Sequence, residues 1–464
     1  MDLRHPFIFE EEKKVGLVGA FLILLSAALY YLLLYHIPRE DFYPFIGVYA
    51  VLFGLYVYYV YPLWNSEGKS PSIKSSQNAI MYIFGAAIIF RLIASFALPP
   101  FSDDYFRFIW DGKLIVEGIS PFLQLPVDYA KDPAFMQQMA IGDELLAGMN
   151  SPEYFTIYPP VLQAIFALGA AISPNNIYGA VLVMKLFVLA AEIGSMYLIV
   201  RILRKLELPE VNLIYYALNP LVIVELCGNL HFEALMIFYL LSAWYLLLWK
   251  QWWKSALAFS MAVCSKLLPL MLLPFLLRRL GWGKTIAYGM IVGLMTLFLF
   301  FPILDLDTFA NLRESIKLYF YSFEFNASVW YIAREIGYQI EGYNIIKLAG
   351  DYFSRVAAIL ILILAFTEKN PLGKNLGKSW LWAFMIYFTL ATIVHPWYVT
   401  TLLALCLFSS YRFPLVWTIF LPLTYYTYRT DAYEENLWLL TIEYLVVFAY
   451  MFYEIKQKAK QSSF

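Results

Sequence analysis

The residues best able to do chemistry stand together after a pair of prolines. The run Pro99-Pro100-Phe101-Ser102-Asp103-Asp104-Tyr105-Phe106-Arg107-Phe108-Ile109-Trp110-Asp111-Gly112 sets carboxylates and a guanidinium among aromatic rings. The prolines end one helix, and Ser102 or Asp103 can cap the next. Asp104, Arg107, Phe108 and Asp111 then fall at i, i+3, i+4 and i+7, on one face. A carboxylate held on such a face beside a polar ligand can take a proton from a hydroxyl, the work of a general base. A helix cap with a surface ion pair would use the same residue types.

Other polar residues interrupt apolar stretches. Gly118-Ile119-Ser120-Pro121-Phe122 and Ile157-Tyr158-Pro159-Pro160 punctuate a loop; the prolines are scaffold and Tyr158 is a ligand-contact candidate. His231 lies in Asn229-Leu230-His231-Phe232-Glu233, and His395 in His395-Pro396-Trp397-Tyr398. A histidine near a membrane boundary beside Trp and Tyr can bond a phosphate or a sugar, and equally a backbone carbonyl. Lys266 sits in an apolar stretch, where an ammonium needs a partner, a route to the surface, or a function; Glu192 and Glu225 are its structural candidates. No Gly-rich phosphate loop, His-Glu-x-x-His or Gly-x-Ser-x-Gly is present.

The elements that must carry these residues are membrane helices. Of 464 residues, 61% are hydrophobic and only 14% charged, with mean hydropathy +0.64. A soluble globule cannot cover that much apolar surface, and a net charge of −1 offers no field for nucleic acid. Cys227, Cys264 and Cys406 lie in apolar runs and form neither a disulfide framework nor a metal knuckle. Apolar runs at 15–35, 44–63, 79–98, 179–200, 234–249, 287–301, 356–366, 380–394, 398–408, 415–425 and 437–453, with shorter or proline-broken ones at 213–224 and 256–277, predict an all-α polytopic protein of about 12–14 spans. The run at 15–35 is read as a retained helix rather than a cleaved leader, and the charged stretch 10–14 as its solvated start. The whole chain, 1–464, is read as one integral-membrane domain, with 99–158 as a loop of short interfacial helices within it.

Charge sets the orientation. Lys456, Lys458 and Lys460, and the basic loops 278–284 and 369–378, are cytoplasmic by the positive-inside rule. Residues 99–158 hold nine acids against three bases, −6 net, and face outward. Simple alternation would put 201–205 and 250–254 outside, against their charge. Hairpins at 159–200 and 256–277 that do not cross fully resolve this and leave Asn229–His231 on the outer side.

The sequence resembles a known group. Asp-Asp-Tyr-x-Arg-Phe-x-Trp-Asp-Gly, then Gly-x-Ser-Pro-Phe, then Tyr-Pro-Pro, is similar to the first outer loop of GT-C integral-membrane glycosyltransferases, with prokaryotic polyprenyl-phosphate-mannose-dependent mannosyltransferases nearest in pattern. Ala217-Leu218-Asn219-Pro220, Gly228–Glu233, Lys266–Leu270 and His395–Tyr398 resemble later motifs of the group, in the same order. The resemblance implies transfer of one sugar, mannose in the first place, from a polyprenyl-phosphate-sugar to a lipid, glycan or protein acceptor. Transfer would be inverting, at the outer face of the inner (cytoplasmic) membrane.

It places the general base on Asp104, with Asp103 second. Arg107, Asp111, Tyr158, His231, Lys266, His395 and Tyr398 are the implied substrate contacts, with Arg107, Lys266 and His395 for the leaving phosphate. Many members write Asp-x-Asp where this chain has Ser102-Asp103-Asp104. That loss weakens the case for a divalent metal, and no cofactor is expected. The alternative from another class is a transporter or flippase of lipid-linked sugars, which intramembrane Lys, Glu and His also suit. The absence of internal repeats and a loop of about 60 residues headed by paired aspartates favour the enzyme.

Overall fold

A computed structural model describes residues 14–65, 73–321, 323–369, 371 and 373–461. Most of the charged stretch 10–14 lies outside these residues. Among the described residues, seven helices are long and apolar enough to cross a bilayer, or eight if the pair Glu210–Ala217 and Pro220–Gly228, bent by 56°, makes one crossing. The chain is thus a polytopic helical membrane protein. The expected 12–14 spans exceed that number because several apolar runs fold as shorter helices, such as Pro160–Ile172, Glu233–Leu248, Trp252–Ser265 and Val399–Cys406. Prolines and polar residues cut these runs before they reach the length of a span. The expected non-crossing hairpin at 159–200 is corrected in its second arm: Ile177–Lys205 has 29 residues and is apolar enough to cross.

Lipid exposure follows from packing. Only 11% of the apolar window in Trp282–Phe300, and 22% of that in Ile346–Thr367, is covered by protein. Helices this apolar and this bare need hydrocarbon around them, because their backbone groups are already paired internally.

The chain divides into two compact units. The first comprises Met1–Phe101, Glu192–His231 and Pro396–Phe464. Within it Lys14–His36 packs on Phe42–Asn65 and Ile73–Phe96. Fully buried Arg91 donates from Nε and Nη2 to Glu192 Oε2 at 3.0 and 2.9 Å and from Nη1 to Ala217 O at 2.6 Å, while Tyr216 donates to Glu192 Oε1 at 2.6 Å. Two buried charges are tolerable only with such saturation. The bend at Asn219-Pro220 has a local cause. Pro220 cannot donate a helical bond, and Asn219 caps the new helix through Leu221 N at 3.0 Å while donating to Thr418 Oγ1 at 2.9 Å.

The second unit comprises Ser102–Ala191 and Phe232–His395. Its polar loop opens with the helix Asp104–Val116 and continues through three short helices, Pro126–Tyr129, Pro133–Gln138 and Gly142–Gly148. Pro160–Ile172 then returns against Asp104–Val116. Contact there is so close that a Cβ on Gly112 would lie 2.2 Å from the Phe166 carbonyl oxygen. The Gly-Ile-Ser-Pro-Phe stretch is anchored in turn. Gly118 takes φ +75°, Ser120 Oγ donates to Ile303 O at 2.5 Å, and Phe122 packs with Phe300 and Leu312.

Candidate functional site

The helix after the paired prolines begins where the pattern puts it. Asp103 takes the cap position without a side-chain capping bond, Ser102 Oγ accepts from Asp104 N at 3.4 Å, and Asp104 is the first helical residue. A carboxylate there is favoured by the positive end of the helix dipole. Asp104 is half-buried, and its Oδ1 accepts from Asn150 Nδ2 at 3.3 Å.

One turn on, the same face is closed by protein. Arg107 Nε donates to Asp111 Oδ1 at 2.8 Å, and Nη1 donates to the carbonyls of Tyr154 at 2.8 Å and Ser151 at 3.3 Å. The other Asp111 oxygen accepts from Thr156 Oγ1 at 2.5 Å and Gln163 Nε2 at 3.0 Å. Asp111 is fully buried, so both its oxygens serve to hold the loop and the returning helix on Asp104–Val116. Arg107 lines a small open cleft of about 60 Å³ with Ser151, Tyr154, Tyr158, Ser315 and Phe323.

Tyr158 stands edge-on to Phe108 and Phe166, at 5.0 and 5.5 Å between ring centres. Phe232 meets the same two rings, each at 5.3 Å. That aromatic cluster fixes the start of the next helix, Glu233–Leu248. Glu233 is the ion-pair partner of Lys266. Lys266 stands just past the end of Trp252–Ser265, with a quarter of its side chain exposed. Neither sequence candidate for its partner is used. Glu192 is held by Arg91 and Tyr216, and Glu225 by Asn229 and Tyr425.

His395 follows a short pairing in which Val394 N donates to Phe325 O at 2.8 Å and Phe325 N to Thr392 O at 3.0 Å; its ring lies 4.8 Å from that of Phe325. The second unit therefore holds Asp103, Asp104, Arg107, Asp111, Tyr158, Lys266 and His395, and brings Arg107 and Tyr158 to one cleft.

His231 and Tyr398 belong to the first unit. His231 ends a rare local structure, a π-helical segment Ile223–Gly228 followed by Leu230 at φ 62°. Its Nδ1 lies 2.9 Å from Glu225 O and 3.3 Å from Glu225 Oε2, both acceptors, so Nδ1 carries the proton. Nε2 has no hydrogen-bond partner among the described residues, and the ring is stacked on Trp397 at 3.6 Å. Tyr398 stands edge-on to Trp397 at 5.9 Å.

Sequence reasoning missed Glu233, Asn150, Thr156 and Gln163 as parts of this arrangement. Glu233 had a signal, since it closes the quoted Asn229–Glu233 motif at a helix start. The others had none. Among the described residues, no three His, Cys, Asp or Glu side chains converge as a metal site.

Spans and loop helices define the class: a polytopic helical membrane protein with a cluster of polar side chains in a loop outside its spanning helices. The family follows from comparison. A model described as "Alpha-(1->6)-mannopyranosyltransferase, N-terminal domain" matches residues 14–280, more than half the chain, and the chain belongs to this family. Alpha-(1->6)-mannopyranosyltransferase B of Corynebacterium glutamicum is 23% identical over 181 residues, covering 39% of this chain. The chain spans 28% of the length of that curated relative. The resemblance to GT-C mannosyltransferases is borne out, and the family match includes every motif quoted for it except His395–Tyr398.

Proposed function

We propose that this protein transfers a mannosyl residue from a polyprenyl-phosphate donor to an acceptor hydroxyl, with inversion, using Asp104 as general base. The observation that carries the reading is the half-buried carboxylate of Asp104 at the first position of the loop helix, its Oδ1 accepting from Asn150 Nδ2 at 3.3 Å, with the Lys266–Glu233 ion pair in the same unit. A base and a cation are the two things the reaction needs. The acceptor oxygen attacks the anomeric carbon as its proton passes to Asp104. The bond from that carbon to the phosphate oxygen breaks, and the electron pair leaves with the polyprenyl phosphate. Lys266 and His395 meet the phosphate charge as it grows. Arg107 is neutralised by Asp111 and serves chiefly to hold the loop. In the first unit, His231 keeps an Nε2 without a hydrogen-bond partner among the described residues.

Inversion yields the α-linkage named in the family description only from a β-linked donor, so a β-mannosyl phospholipid is the substrate in this reading. The outer face of the inner membrane is supported by the −6 balance of residues 99–158 against the basic C-terminus. It is also supported by helix length. Pro160–Ile172, with 13 residues, reaches about 20 Å, short of the roughly 30 Å hydrocarbon core. Without a crossing there, Ile177–Lys205 returns Arg204 and Lys205 to the cytoplasmic side, in accord with their charge.

The test is to incubate the purified full-length protein with polyprenyl-phosphate mannose, glucose, galactose and arabinose, and an oligomannoside acceptor. Consumption of the mannosyl donor with a lengthened acceptor is expected. Consumption of another donor alone overturns the choice of sugar, and consumption of none overturns the enzyme reading.

A further inference from the structure

Three basic segments of the second unit come together at one end of its helices. Residues 249–254, 278–284 and 368–378 hold eight bases against one acid, Glu368. Hydrogen bonds tie the segments to one another. Trp244 Nε1 donates to Gly373 O at 3.1 Å, and a Cβ on Gly373 would meet Leu248 at 3.9 Å, just before the turn that holds Lys250. Arg278 Nη1 donates to Phe366 O at 3.1 Å and to Glu368 O. Arg279 Nη2 donates to Glu368 Oε1 at 2.7 Å and to Ser379 Oγ at 3.1 Å. Arg279 thus takes the single acid. Lys250, Lys284, Lys369 and Lys374 are all exposed, and the three segments contain no second carboxylate to balance them.

The patch adjoins bare apolar surface. The span Trp282–Phe300 begins there and the span Ile346–Thr367 ends there, and Pro274–Leu280, which carries Arg278 and Arg279, packs on both. Trp282, Ile286 and Met290 are exposed at i, i+4 and i+8 on the first span. Ile359, Ile363 and Phe366 are exposed at i, i+4 and i+7 on the second. Each stripe leads from the basic end into the part of the helix that hydrocarbon must cover. Trp249 and Trp253 are half exposed, and Lys254 Nζ lies 5.5 Å from the centre of the Trp253 ring. Lysine beside tryptophan at the end of a lipid-facing helix is the composition of the headgroup level.

We infer that this patch binds the headgroup of an anionic phospholipid, with the acyl chains lying along the two exposed stripes. A soluble anion would meet the charge and leave the stripes uncovered. A zwitterionic lipid would cover the stripes but bring its own cation to the lysines. A phospholipid with net negative charge satisfies both surfaces, and basic pockets between membrane helices recognise lipids in this way. The inference is independent of the transferase reading. The bases that carry it lie outside the residues assigned to sugar transfer.

The experiment compares lipids on the purified full-length protein. Phosphatidylglycerol and phosphatidylcholine with the same acyl chains are titrated into the delipidated protein in neutral detergent, and bound lipid is counted by native mass spectrometry. Phosphatidylglycerol is expected to bind tenfold or more tightly than phosphatidylcholine, since each base near an anionic headgroup adds about fivefold. The triple variant Lys284→Gln/Lys369→Gln/Lys374→Gln should bring the two lipids within about twofold. The triple Lys→Arg variant should keep the preference, as should Lys131→Gln, which changes an exposed lysine elsewhere. If the triple Gln variant does not fold, Lys284→Gln and Lys369→Gln are measured singly, and each should lose twofold or more of the preference. Phosphatidylglycerol should also raise the Tm of the parent more than that of the Gln variants. Equal affinity for the two lipids in the parent overturns the inference, as does a preference that survives intact in the folded Gln variants. Displacement of the lipid by millimolar inorganic phosphate overturns it in favour of a free-anion site. A dimer that forms without anionic lipid and excludes it overturns it in favour of a second copy of the chain.

Discussion

Lys266 is ion-paired with Glu233, thirty-three residues earlier in the chain. The two side chains are unequally covered: 25% of the lysine is exposed and 7% of the glutamate. The carboxylate is fixed at the start of its helix, and the lysine stands just past the end of another.

Removing the lysine alone strands an inner carboxylate. Lys266→Met should cost about 1–3 kcal/mol of stability, the penalty of leaving a largely buried polar group unpaired. The double variant Lys266→Met/Glu233→Gln should regain most of that loss, because no charge is left alone. Neither variant should regain donor affinity. Melting temperature measured beside donor titration separates the two effects. Unaltered donor affinity in the folded double variant would remove Lys266 from the site.

Asp104→Asn should keep the fold and donor binding while lowering transfer by about 10²–10⁴, the usual contribution of a positioned base. Asn150 can still bond an amide at that position, so the helix start is expected to survive. Near-normal turnover contradicts the assignment. A dead Asp103→Asn beside an active Asp104→Asn moves the base back one residue.

Gly112→Ala should destabilise the loop. The added Cβ would meet the Phe166 carbonyl oxygen at 2.2 Å, and backbone cannot rotate away as a side chain can. The helix pair must separate, at about 1–3 kcal/mol. Gly54→Ala is the control, since a Cβ there meets nothing within 4 Å. Thermal unfolding of the two variants compares them directly.

Asp305 caps the helix Leu306–Tyr321, which carries Ser315 to the cleft. Its Oδ1 accepts from Thr308 N at 2.8 Å and from Thr308 Oγ1 at 2.7 Å, and these bonds hold its carboxyl below the usual value. A folded value below the unfolded one means the cap stabilises fully above the unfolded carboxylate pKa, about 3.9. The stabilisation is lost as pH falls through the folded value. Amide protection in 306–312, taken relative to the intrinsic exchange rate at each pH, should therefore fall in acid, and Asp305→Ala should show the lower protection already at neutral pH. Identical protection in the two proteins across that range contradicts the cap's role.

Orientation has its own check. The Lys131 side chain is 75% exposed and pairs with Asp128. A cysteine at Lys131 should react with an impermeant thiol reagent in intact cells. Labelling that appears only after the membrane is opened would reverse the assigned topology.

Local periodicity in the chain was enough to read the helix at 104–116, its start beside Asp103, and the i,i+4 relation between Arg107 and Asp111. The reason is that neighbours on a helix are set by 3.6 residues per turn, whatever surrounds it. Composition likewise determined the membrane class, because apolar helices with so few charges have only lipid to face. The count of long spans was not legible, since a proline or a polar residue shortens a helix by an amount that packing decides. Packing also chose Glu233 over Glu192 and Glu225 for Lys266, as all three carboxylates fit equally well in a sequence. The same holds for Asp111. Spacing put it on the ligand-facing stripe with Asp104, but Thr156 and Gln163 arrive from a loop and a later helix to take its second oxygen. Which face of a helix is covered, and by what, depends on contacts tens of residues apart, and those exist only once the chain has folded.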